Sequence, residues 1–481
     1  MITPSDFATP WPPLRATAFG LVSFCGLLAL LLIGIGNMVG WLALVVLYYL
    51  LLFVVVRRRP MVILKAALML LPVIGVGIGY HMVFAFYLMV PFVLVVYRDF
   101  LVRGARFVFD RCDAVSVGLA LMISSVAVAI ANAFLRDGLS YRLLMQLGLL
   151  AWVVMLTLLI INALKSGVRI TTVVKTSSIP LVLFGLTILA YVAVSGFGRL
   201  FQLKHIIIMT SDVNANLPAM MMTPMLVLSL LLPRRHSADH GFARNLLFLM
   251  LLMAVVSTNS RGAWMGLMVA FIYLFDRLRK GRAITARAVV LALLAMMLIM
   301  ILFGDVLLHR LGQTGLKDHS FLSRLLLWKY ALSYLAENPF IGLGPDIYRT
   351  AKIAMGYPSI YDPELAFSSH NLFLEIAVNY GGLCLIGCIL ALGGVIRRLD
   401  ARARSATDPR MRYALLTLNA ALLSMLAHGL FDTGIANVGV AAVMAVVAGL
   451  ALAAFRATDA ELAMLFPGGL DGTAACREAT A

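Results

Sequence analysis

Long blocks of apolar residues, each closed by a short polar or basic stretch, make up most of this chain. The blocks fall at roughly 16–35, 38–56, 61–79, 81–97, 114–134, 143–163, 178–195, 217–232, 243–258, 262–277, 287–304, 371–395, 413–431 and 436–455. A helix needs about 20 residues to cross the hydrocarbon of a bilayer. Several blocks meet that length, while those between 38 and 97 and on either side of Arg261 are short enough to be over-counted as separate spans. The pattern therefore predicts an all-α polytopic membrane protein with 12–14 transmembrane helices. One long stretch, 305–370, breaks the rhythm. It divides the chain into a helical bundle at 1–304, a polar loop domain at 305–370, further spans at 371–455 and a tail at 456–481 expected to be disordered.

The polar loop has its own pattern. Phe321, Leu322, Leu325, Leu326, Trp328 and Leu332 recur near helical spacing, which predicts an amphipathic helix over 320–337. It must stop before Asn338-Pro339, because the residue preceding a proline resists the helical region. Gly342-Leu343-Gly344-Pro345 reads as a turn, and Asp346 as the cap of a short second helix. Such a pair suits the membrane surface, roofing a cavity.

Composition agrees: 62% of residues are hydrophobic and 13% charged, against about 25% charged in soluble domains. The net charge of +17 would suggest nucleic acid in a soluble chain. Here the basic clusters Arg57-Arg58-Arg59, 98–111, 165–175, Arg234-Arg235, 277–287 and 397–412 all fall on one side when the spans alternate. Positive charge holds loops inside, so no nucleic-acid partner is expected. Both termini are then cytoplasmic and 305–370 faces outward. The first apolar block lacks a clear cleavage site and reads as a retained span. The five cysteines suggest no disulfide framework. No Cys/His cluster has metal-ligand spacing, and no Asp-x-Asp pair lies outside to hold a divalent cation; no metal and no cofactor are expected.

Candidate chemistry gathers at the outer ends of three inward-running spans. Arg199 with Asn214 and Asn216 precedes the block at 217; Ser257-Thr258-Asn259-Ser260-Arg261 precedes that at 262; Ser369-His370-Asn371 opens that at 371. Each span presents free amide N–H groups and the positive end of its dipole there. With two guanidinium groups added, the face suits a phosphate or pyrophosphate. Plainer readings stand beside these: a boundary arginine that snorkels to headgroups, His370 as a helix cap, and His428 as a packed polar side chain.

These clusters resemble the O-antigen ligase family and its Wzy-type polymerase and O-oligosaccharyltransferase relatives. The matching pieces are Thr258-Asn259-Ser260-Arg261-Gly262-Ala263, Arg324 with Trp328, Asn338-Pro339-x-x-Gly342-x-Gly344, and His370-Asn371-x-x-Leu374-Glu375 followed by Gly381-Gly382. Arg199-Leu200 with Asn214 and Asn216 matches an earlier motif more loosely. The resemblance implies a multi-pass enzyme of a bacterial inner membrane that works on the periplasmic face. Its donor would be a polysaccharide on undecaprenyl pyrophosphate and its acceptor a sugar hydroxyl of lipid A–core. In that role His370 would be the base, and Arg261 and Arg199 would neutralise the leaving pyrophosphate without a metal, inverting the anomeric centre. Ser260, Asn371, Asn216 and Trp328 would contact substrate. Arg324 would bind phosphate or anchor the amphipathic helix.

Three alternatives remain at this point. A Wzy-type polymerase differs only in its acceptor, a second lipid-linked repeat unit. A protein O-oligosaccharyltransferase fits less well, since many carry a large periplasmic C-terminal domain. A flippase would place ionisable groups mid-membrane, where the spans here are nearly free of charge, Lys65 apart.

Overall fold

The computed structural model describes residues 68, 98–138, 141–195, 205–208, 211–214, 216–232, 238–258, 260–280, 319–344, 369–433 and 438–466. The apolar blocks before residue 98 (Leu68 apart), the block at 287–304, Arg199, Asp346 and the tail beyond 466 lie outside them.

Helix α1 (Arg98–Val108) is amphipathic and carries Arg98, Arg103 and Arg106. Helices α2 (Ala114–Asp137), α3 (Tyr141–Lys165) and α4 (Ile170–Ser195) then follow. The Asp113 carboxylate starts α2 by accepting the N–H groups of Val115 and Ser116 at 3.1 and 3.0 Å. Gly138, at φ 69°, stops it. Beyond α4 comes a departure from the all-helical expectation. Strands β1 (His205–Ile208) and β2 (Ser211–Asn214) form a small antiparallel hairpin with His205 opposite Asn214. The run His205-Ile206-Ile207-Ile208 is rich in β-branched residues, which suits a strand.

Helices α5 (Asn216–Ser229), α6 (Ala238–Ser257), α7 (Arg261–Lys280), α8 (His319–Glu337), α9 (Leu372–Tyr380), α10 (Gly382–Ser405), α11 (Pro409–Gly429), α12 (Val438–Arg456) and α13 (Asp459–Leu465) complete the described chain. Among the described residues, five segments are long and apolar enough to cross a membrane: Ala114–Arg136, Gln146–Lys165, Ile170–Ala190, Gly382–Ser405 and Gly439–Arg456. The structure is that of an all-α polytopic membrane protein, with the hairpin as its one β element among the described residues. Helix α11 is more polar than these five, because Arg410, Arg412, Asn419 and His428 lie on it. Asn419 and His428 lie in its stretch from Ala414 to Gly429, which is largely buried among other helices instead of facing lipid. Helix α5 is likewise enclosed, with Pro218 to Ser229 all buried.

Paired contacts show that helix ends fall into two sets. At one end, Arg456 donates to the Val108 carbonyl at 2.9 Å and to Asp113, Tyr273 donates to Asp400 at 2.9 Å, and Arg402 donates to the Ala454 carbonyl at 2.9 Å. These polar clamps join the start of α2 to the ends of α7, α10 and α12. The opposite end collects the termini that bear the candidate chemistry.

The block at 371–395, expected as one span, is cut at Gly381. That residue sits at φ 91°, ψ 159°, a region essentially reserved for glycine. A Cβ there would strike the Phe340 carbonyl, and one on Gly342 would strike the backbone of Asn379. The Leu343 and Gly344 N–H groups donate to the Val378 and Asn379 carbonyls at 2.9 and 3.0 Å, and the Gly382 N–H to the Pro339 carbonyl at 3.0 Å. The motifs Asn338-Pro339-x-x-Gly342-x-Gly344 and Gly381-Gly382 are thus two halves of one backbone contact. Gly381→Ala is expected to destabilise by about 1–3 kcal/mol from backbone conformation alone, before the clash is counted. Thermal denaturation in detergent reads this directly, and an unchanged midpoint would contradict it.

Candidate functional site

The loop before α9 carries His370. Its backbone has φ 50°, the one positive value at a non-glycine among the described residues. Such a conformation costs an L-residue about 1–2 kcal/mol, so its surroundings must hold it. They do so from three sides. The buried Glu375 carboxylate accepts the Ser369 N–H at 2.7 Å. Trp328, on α8, donates its indole N–H to the Ser369 carbonyl at 2.9 Å. Asn371 caps α9, accepting from Phe373 and Leu374 at 3.0 and 3.1 Å, and its amide donates to the Leu430 carbonyl at 3.2 Å.

That last bond ties the loop to the end of α11, where the imidazole finds its partner. His370 Nδ1 lies 3.2 Å from Asp432 Oδ1. Asp432 is buried, and its Oδ1 also accepts the Thr433 N–H at 2.8 Å. Burial pushes this carboxyl up; the hydrogen bond from His370 and the charges of His370, Arg324 and His428 outweigh that and hold it below its ordinary value. An ionised Asp432 accepts a hydrogen bond from Nδ1–H, the tautomer that puts the basic lone pair of the ring on Nε2. Sequence reasoning passed over Asp432. The available signal was a carboxylate just past an apolar block, on the side assigned to His370 and His428.

Arg261 opens α7 next to the same place. The following residue, Gly262, has no room for a side chain because the His428 ring lies on its backbone. Ser260 caps the helix, its Oγ accepting the Ala263 N–H at 3.4 Å. Ser257 and Thr258 turn back onto the Met253 and Val255 carbonyls at 2.8 and 2.6 Å and so belong to α6. Arg324, on α8, acts electrostatically on both Asp432 and His428. Asn216 begins α5 and is half-buried.

Gly262, His428, Asp432 and His370 therefore form a run of neighbours at one end of the bundle, with Arg261 next to Gly262 in the chain and Arg324 and Trp328 nearby. Both ring nitrogens of His428, Asp432 Oδ2 and Thr433 Oγ1 are buried without a hydrogen-bond partner among the described residues. Buried polar atoms are ordinarily paired, so four such atoms together single out this end of the bundle as the candidate site.

Residues 246–392 match the family model described as O-antigen ligase. The O-antigen ligase match includes Ser260, Arg261, Arg324, Trp328, His370 and Asn371, and it ends before His428 and Asp432. It supports a ligase- or polymerase-type enzyme of the glycosyltransferase kind, with lipid-linked glycans as its general substrate class. No curated protein matches the chain.

Proposed function

We propose that this protein is an inner-membrane O-antigen ligase. It moves a polysaccharide from undecaprenyl pyrophosphate to a sugar hydroxyl of lipid A–core on the periplasmic face, with both termini in the cytoplasm. The observation that carries the reading is the His370–Asp432 pair set beside the Arg261 helix terminus, with both His370 and Arg261 inside the ligase match.

In the reaction, His370 Nε2 takes the proton of the acceptor hydroxyl as its oxygen attacks the anomeric carbon. The bond from that carbon to the pyrophosphate oxygen breaks, and its electron pair leaves with the pyrophosphate. Asp432 orients the ring and stabilises the imidazolium as it forms. Arg261 and Arg199, with the N–H groups that open α7, neutralise the departing charge, so no metal is required. Attack opposite the leaving group inverts the centre. Arg324 binds substrate phosphate from the α8 side, and Ser260, Asn371, Asn216 and Trp328 shape the walls.

Arg261→Ala is expected to lower use of the pyrophosphate donor by about 10²–10³-fold, the usual loss when a charge-stabilising group is removed. The acceptor KM should barely change. Purified protein given labelled lipid-linked glycan and lipid A–core, with a chelator present, reads this; unchanged donor dependence would remove Arg261 from the mechanism. The same assay without lipid A–core identifies a polymerase, which would instead lengthen the glycan on its lipid carrier.

A further inference from the structure

The tip of the loop after α8 is apolar and uncovered. Phe340 is 64% exposed and Ile341 52%, although the backbone on either side of them is hydrogen-bonded to neighbouring helices. The Pro339 carbonyl accepts the Gly382 N–H, from the first residue of the span Gly382–Ser405. From the other side, Asn132 Nδ2 and Arg136 Nη2 donate to the Gly342 and Leu343 carbonyls at 3.3 and 3.2 Å. Those two donors lie in the last turns of the span Ala114–Arg136. The tip is thus clamped between the ends of two membrane-spanning helices, at the level where hydrocarbon begins.

Neighbouring side chains at that level are also exposed and apolar. Leu135 on α2 is 83% exposed, and Ile386 on α10 is 50% exposed. On spanning helices such surfaces face lipid, so Phe340 and Ile341 extend a lipid-facing surface that already exists. Their polar neighbours Glu337 and Asn338 are exposed just before the tip, as expected where the chain passes from water into the interface. The Gly342 and Leu343 carbonyls and the Leu343 and Gly344 N–H groups are all paired within the protein. That pairing lets the backbone just after the tip lie at the edge of hydrocarbon, while only the side chains of Phe340 and Ile341 reach into it.

We infer that Phe340 and Ile341 insert among the acyl chains of the bilayer and anchor the segment bearing α8 to the membrane. The occupant of this surface is bulk lipid. The anchor sets the depth of Trp328 and Arg324 relative to the bilayer, and so the height at which α8 meets the loop carrying His370. The inference rests on the two spans and the loop contacts and does not depend on the reaction proposed above.

The test uses the full chain with its native cysteines replaced by alanine, reconstituted in phospholipid vesicles. An environment-sensitive NBD label is attached at Ile341→Cys, with Ile386→Cys as the lipid reference and Glu337→Cys as the aqueous reference. Phe340→Cys serves as a second reporter should Ile341→Cys fail to fold. The label at 341 is expected to emit to the blue of the 337 label. It should lose emission to acyl-chain doxyl lipids as the 386 label does, and resist aqueous iodide. Quenching by iodide with no effect of doxyl lipid would overturn the inference. So would protection from both quenchers, which would mean that protein covers the tip.

Discussion

Replacing His370 with alanine is expected to lower glycan transfer by about 10²–10⁴-fold, the range associated with loss of a positioned general base. The fold should survive, because the side chain is partly exposed. His370→Gly separates catalysis from stability more cleanly. Glycine removes the imidazole and also relieves the cost of φ 50°, about 1–2 kcal/mol for an L-residue. That variant should denature at the same temperature as the parent or higher, yet be equally inactive. Initial rates with purified protein and both lipids decide the matter. Transfer at the parental rate by either variant would take His370 out of the reaction.

Asp432→Asn should be at least as damaging, with turnover reduced by up to about 10⁴-fold, as when the orienting carboxylate of a Ser-His-Asp triad becomes an amide. An asparagine is the same size, but its NH₂ group turned toward His370 Nδ1 favours the tautomer with the proton on Nε2. The base is then blocked without being removed. Because the two side chains act as one unit, the Asp432→Asn/His370→Ala pair should be no slower than His370→Ala alone. Losses that multiply would show two independent roles. The sign of the pH effect also follows. The Asp432 carboxyl lies below its unfolded value of 3.8, so its contribution to stability is complete above that pH and disappears as pH falls through the lower folded value. Across the neutral range this group adds no pH dependence.

Much of the architecture was legible because bilayer crossing imposes a length and an apolar pattern on each helix. The helix expected over 320–337 is found at His319–Glu337, stopped by Pro339 as steric reasoning requires, but Leu325 and Leu332, expected on its apolar face, are exposed. Two departures have local causes. The hairpin at 205–214 follows from a run of β-branched residues in what reads as a loop. The cut at Gly381 is hidden in sequence, since the residues on both sides of it are apolar and only the backbone conformation reveals it. At the site, Arg261 and His370 were legible as polar residues at span ends. Asp432 was not, because a carboxylate past a span has no periodic signature. What singles it out is a distance across 62 residues of chain, from His370 Nδ1 to Asp432 Oδ1. Gly262 likewise reads as an unremarkable glycine until His428 is seen resting on it.

The most direct test follows a labelled glycan on its polyprenyl carrier when the reconstituted protein is supplied with lipid A–core. The label should leave the pyrophosphate and appear covalently on the acceptor lipid, with the His370→Ala protein producing none of that product. A label that crosses the bilayer still attached to its original carrier, or an alanine variant that forms the same conjugate, would contradict the account.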